Sequence, residues 1–107
     1  MESDTMLIEM LYFSGCPSWE QTIDDLKSVL LEKGFKPEIK LLKIESDEDA
    51  KKQKFPGSPT IRVNGRDLFP IDKENYCLQC RVYSTPDGLV GTPSRRMLDE
   101  RLSKLIN

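Results

Sequence analysis

Met6-Leu-Ile-Glu-Met-Leu-Tyr-Phe13 is the longest apolar run in the chain, and Glu9 is its only charged residue. A run this short, apolar at both odd and even positions, suits a central strand covered on both faces. The next twenty residues fix the kind of cover. Pro17 suits the first turn of a helix, where its missing N–H is no loss. Trp19, Ile23, Leu26 and Leu30 then recur at steps of four, three and four, which puts them on one helical face. Gly34 is a natural stop for that helix. A strand feeding an amphipathic helix lays the helix across its sheet, and the next strand returns parallel to the first by a right-handed crossover.

That next strand is Glu38-Ile-Lys-Leu-Leu-Lys-Ile-Glu45, which alternates. Ser46 with Asp49 three residues later resembles a capping box and opens a short charged helix ending by Phe55. Pro59-Thr-Ile-Arg-Val-Asn64 reads as a third strand closed by the Asn64-Gly65 turn signal. Cys80-Arg-Val-Tyr-Ser84 reads as a fourth, pairing antiparallel with the third after a long irregular segment from Gly65 to Gln79. Thr92-Pro93 caps a last helix with Leu98, Leu102 and Leu105 on one side. The order is β-α-β-α-β-β-α. The expected fold is a single α/β domain over residues 1–107, a four-stranded mixed sheet with helices on both faces.

Composition removes several functions. Sixteen basic residues against eighteen acidic ones give a formal net charge of −2, without the basic excess that nucleic-acid binding calls for. The Met6–Phe13 run is far too short to cross a bilayer. Acidic residues precede it and no small-residue cleavage site comes after it, so it is a poor signal peptide and the expected location is cytoplasmic. The three cysteines then read as reduced thiols rather than a disulfide framework. The chain has no histidine, which excludes Cys-His nucleophile pairs and every His-containing metal site.

A cysteine at the junction of the first strand and first helix, Cys16-Pro17, and the triplet Ser58-Pro59-Thr60 opening the third strand give the chain a resemblance to the thioredoxin-like superfamily. More narrowly, Gly57-Ser58-Pro59-Thr60-Ile-Arg-Val-Asn64-Gly65-Arg66-Asp67 followed by Cys80-Arg-Val-Tyr83 is similar to small bacterial thioredoxin-like proteins often labelled by similarity to alkylmercury lyases. The resemblance implies a cis Pro59 beside a catalytic Cys16, with Ser58 offering its backbone to an extended thiol substrate and Pro17, Ser58 and Pro59 lining the substrate groove. The chain departs from dithiol members at Trp19, which stands where their resolving cysteine would be. The Cys-Gly-Phe-Ser pattern of cluster-binding monothiol glutaredoxins is absent, and neither a cofactor nor a resident metal is expected.

Cys16 also has a physical case of its own. A thiolate at a helix N-terminus faces unpaired N–H groups and the positive end of the dipole, which activates it; the plainer alternative is a buried, inert cysteine. Trp19 is best explained as the first rung of the helix stripe. Cys77-Leu-Gln-Cys80 is a second thiol pair with three readings: a redox dithiol, half of a soft-metal site, or a loop residue followed by a core one. A fourth strand paired along the third would start on the order of 15 Å from Cys16. A Cys16–Cys80 bridge needs Cα atoms within about 7 Å, so it would require the intervening segment to fold back over the sheet. The sequence therefore points to a thiol–disulfide oxidoreductase or redox-responsive thiol protein acting through Cys16 alone. Its substrate would be a disulfide-bearing protein or low-molecular-weight thiol, and an external thiol would resolve the mixed disulfide. The competing class is a non-catalytic module for protein binding or for soft-metal or organomercurial handling.

Overall fold

The computed structural model describes residues 7–36, 38–72 and 75–106; Met6, which the sequence pattern assigns to the first strand, lies outside them. β1 (Ile8–Tyr12) pairs in parallel with β2 (Lys40–Lys43), with Met10 opposite Leu41. The crossover between them is α1 (Trp19–Glu32). On its other side β1 pairs antiparallel with β3 (Thr60–Val63), with Met10 opposite Ile61. Between β2 and β3 runs α2 (Asp47–Gln53), whose N-cap Ser46 accepts a hydrogen bond from the Asp49 amide at 3.0 Å.

The fourth strand of the sheet is not Cys80–Ser84. It is β4 (Arg66–Asp67), joined to β3 by a tight hairpin, so that the sheet order is β2-β1-β3-β4. Asn64 and Gly65 both have positive φ, 54° and 84°, the backbone a two-residue hairpin turn requires. Residues 83–85 pair elsewhere: β5 (Tyr83–Thr85) and β6 (Gly88–Val90) form their own antiparallel hairpin. With the sheet closed early, Cys80 is free to pair elsewhere, and it bridges to Ser58.

Alternation along β1 divides the interior in two. Ile8 and Met10 face α1 and the last helix, α3 (Arg95–Ile106), where Ile23, Leu26, Val29, Leu30, Ile61, Leu98 and Leu102 are buried with them. Leu11 faces the other way, against Ile44, Ala50 and Phe55 under α2. Helices thus cover both faces, and truncating Leu26 or Leu30, each fully buried, carries a cost of about 2–5 kcal/mol. α3 starts later than Thr92 would have it: Ser94 takes the cap, accepting from the Met97 amide at 3.1 Å, while the Thr92 hydroxyl bonds that of Thr22 in α1. Leu105, counted with the apolar side, is 54% exposed.

Candidate functional site

The end of β1 runs into a turn closed by the Cys16 amide on the Phe13 carbonyl at 3.1 Å. That turn delays α1, whose N-cap is Ser18. Cys16 therefore sits two residues ahead of the cap, and Pro17 lies in the approaching turn rather than in the first turn of helix. The thiol points inward. Cys16 is 1% exposed and its Sγ donates to the Ser58 carbonyl at 3.4 Å. The Ser58 hydroxyl in turn accepts from the Phe13 amide at 3.4 Å, which ties the residues before β3 to the end of β1. The Ser58–Pro59 peptide is cis. Trp19 stacks on Tyr12, ring centroids 4.3 Å apart, and packs at the margin of the core.

Ser58 does not hold its backbone open to a substrate. Its amide donates to the Gln79 carbonyl and its carbonyl accepts from the Arg81 amide, both at 2.8 Å, so Cys80 lies against Ser58 in a parallel β-bridge. The chain's own segment 79–81 fills the place the resemblance reserves for a substrate. Gly57 makes this approach possible: its φ is +138°, and a Cβ there would come within 2.9 Å of the Arg81 Cβ.

Arg81 fixes the segment in place. It is 4% exposed, and both terminal nitrogens of its guanidinium are bonded. Nη1 donates to Asp67 Oδ2 at 2.9 Å and to Thr60 Oγ1 at 3.3 Å, Nη2 donates to the Phe69 carbonyl, and Cζ lies 4.7 Å from the centre of the Tyr83 ring. A buried arginine is tolerable when it is paired with a carboxylate and hydrogen-bonded in this way. Tyr83 closes the arrangement by donating to the Pro59 carbonyl at 2.6 Å. Burial pushes its phenol far above the ordinary value, against the smaller opposing influence of the Arg81 charge, so the proton for that bond stays on. Upstream, the Leu78 amide donates to Asp47 Oδ1 at 2.9 Å, anchoring the same segment to the start of α2.

The result overturns the expected separation of Cys16 and Cys80. Both cysteines meet at Ser58: Cys16 Sγ bonds its carbonyl at 3.4 Å, and Cys80 is bridged to it. The proximity of Cys16, and after it burial, raises the Cys80 thiol above its ordinary value. The separation fails because it takes Cys80–Ser84 as a fourth strand paired along β3. The hairpin at Asn64-Gly65 occupies that place instead and returns the later chain to the sheet end where Cys16 lies. Nor does Cys80 point into the core. From Cys80 to Ser84 exposure alternates, with Cys80, Val82 and Ser84 outward and Arg81 and Tyr83 buried. Cys77 is half-buried, and all three cysteines are free thiols. Among the described residues no group of three or more His, Cys, Asp or Glu side chains is placed to hold a metal ion, and no helix is long and apolar enough to cross a membrane.

Sequence reasoning singles out Cys16, Ser58, Pro59 and Cys80, which the structure brings together, but misses Arg81 and Asp67. The signal is the phase of Cys80-Arg-Val-Tyr83: an aromatic with a hydroxyl two places from an arginine, so that burying Tyr83 buries Arg81 as well. Comparison with known proteins finds no family model and no curated protein that matches the chain.

Proposed function

We propose that this protein is a thioredoxin-like thiol–disulfide oxidoreductase whose redox unit is the pair Cys16 and Cys80. The observation that carries the reading is that both thiols converge on Ser58, Cys16 by its bond to the Ser58 carbonyl and Cys80 by the β-bridge to the same residue. A parallel β1-α1-β2 crossover, an antiparallel β3–β4 hairpin and a cysteine where β1 gives way to α1 support the thioredoxin-like assignment. Two adjacent thiols can carry out a complete exchange. One sulfur attacks a disulfide R–S–S–R′ and R′S⁻ leaves; the second attacks the resulting mixed disulfide and RS⁻ leaves. The substrate gains two electrons and the protein keeps a Cys16–Cys80 disulfide, which a thiol reductant reopens. The single-thiol mechanism, with an external thiol as resolver, becomes unnecessary once a partner sulfur lies within the chain.

The test is limited oxidation of the reduced protein with diamide, followed by non-reducing peptide mapping. The expected product links the peptides carrying Cys16 and Cys80, and the protein should accelerate dithiothreitol-driven reduction of insulin, an activity lost in Cys16→Ser. Oxidised protein in which Cys16 and Cys80 both remain thiols would overturn the assignment.

A further inference from the structure

We propose that Cys80 is the thiol that meets the substrate and that Cys16 is the buried thiol that resolves it. This rests on the oxidoreductase reading above and reverses the order expected from position in the sequence. Access decides the order. Cys16 is 1% exposed, its Sγ held on the Ser58 carbonyl that also accepts from the Arg81 amide, whereas Cys80 is exposed. The segment is no lid. Ser58 holds it by both backbone groups, and the Arg81 guanidinium holds it from the inside by Asp67, Thr60 and the Phe69 carbonyl. An incoming disulfide therefore cannot lie along Ser58 as an added strand and cannot reach the Cys16 sulfur in the folded protein. It can reach Cys80, whose outward neighbour Val82, 60% exposed, leaves an apolar approach.

The chemistry takes two balanced steps. The Cys80 sulfur, its proton released to solvent, bonds to one sulfur of the substrate disulfide, whose S–S bond breaks and whose other half departs as a thiolate. The Cys16 sulfur, likewise deprotonated, then attacks Cys80 Sγ, the Cys16–Cys80 bond forms, and the second half departs as a thiolate. The substrate class is a disulfide whose sulfurs stand clear in solvent: a small-molecule disulfide, or one projecting from a protein surface.

Oxidised glutathione serves as the small probe and a folded protein with an exposed disulfide as the large one, both on a Cys77→Ser background that leaves two thiols. Cys16→Ser should accumulate a stable mixed disulfide on Cys80, seen by mass spectrometry. Cys80→Ser should leave Cys16 unmodified, reacting on the order of 100-fold more slowly because only local opening exposes it. Wild-type protein pulsed with iodoacetamide should label Cys80 before Cys16, a readout that stands even if Cys80→Ser does not fold. Adducts forming on Cys16 at the wild-type rate would overturn the order while leaving the redox pair intact. No adduct on either cysteine would overturn the oxidoreductase reading itself. Reaction with only one probe narrows the class to that source.

Discussion

Arg81→Met tests whether a buried charge positions Cys80 beside Ser58 and Cys16. Methionine keeps most of the side chain's bulk and flexibility but removes every donor. The Phe69 carbonyl and the Asp67 carboxylate lose their partner, while Thr60 keeps its bond to the Gly57 carbonyl at 2.6 Å. Breaking a buried ion pair costs about 3–5 kcal/mol. Asp67 is still 19% exposed and still accepts from the Phe69 amide at 2.9 Å, which favours the lower end. The lost contact with the Tyr83 ring adds little, since sulfur also packs well on aromatics. The expected loss is therefore about 3 kcal/mol, a midpoint shift of roughly 1–3 M in urea at slopes of about 1–3 kcal/mol per molar. Domains of this size have about 5–15 kcal/mol in hand, so the variant should still fold. Segment 79–81 would then be held by its backbone bonds to Ser58 and by Gln79 Nε2 on the Pro56 carbonyl, and mild oxidation should give less Cys16–Cys80 crosslink than in the wild type. A loss under about 1 kcal/mol, the range of an exposed pair, with undiminished crosslinking would refute the idea that Arg81 positions Cys80.

The same region sets three further outcomes. Gly57→Ala combines a positive-φ position with a collision at the Arg81 Cβ, so thermal unfolding should reveal a destabilisation of about 1–3 kcal/mol or more; an unchanged melting temperature would contradict the close approach. Tyr83→Phe removes the donor to the buried Pro59 carbonyl and should cost about 1–3 kcal/mol by denaturant titration. Because the Cys80 thiol is raised by the proximity of Cys16, its alkylation rate should climb with pH along a curve centred above the ordinary thiol value of about 8.5, and Cys16→Ser should bring that curve back down. The same shift has a sign for stability. Folded Cys80 keeps its proton longer than unfolded Cys80, so its contribution is whole below about pH 8.5 and is lost as pH rises through the folded value.

The first half of the fold is written in local patterns, and these are legible. A short apolar run locates β1, period-3.6 spacing α1 and alternation β2, and the Ser46–Asp49 spacing marks the start of α2. The second half depends on pairings that local pattern does not encode. Asn64-Gly65 announces a hairpin, yet its return strand, Arg66–Asp67, is two polar residues with no hydrophobic alternation to reveal it. Cys80–Ser84 has strand composition, and hydrophobicity alone would turn Val82 inward and Arg81 outward. The opposite phase brings Arg81 to Asp67, Thr60 and the Phe69 carbonyl and buries Tyr83, and leaves Val82 60% exposed. Where Cys80 lies depends on that phase and on the early hairpin, which is why the sequence marks both cysteines but not their convergence on Ser58.

Cys16 and Cys80 stand about 64 positions apart in the chain, and a bond between them would tie a large loop in the unfolded ensemble. Chain-entropy arguments give such a closure roughly 4 kcal/mol. By linkage the fold favours the bond by as much as the bond favours the fold, a pull of about 90 mV toward the oxidised state relative to an unconstrained dithiol. On the proposed redox reading, the melting temperature of this small domain would also gauge its electron content: oxidation should raise it, and heating should make the disulfide easier to reduce.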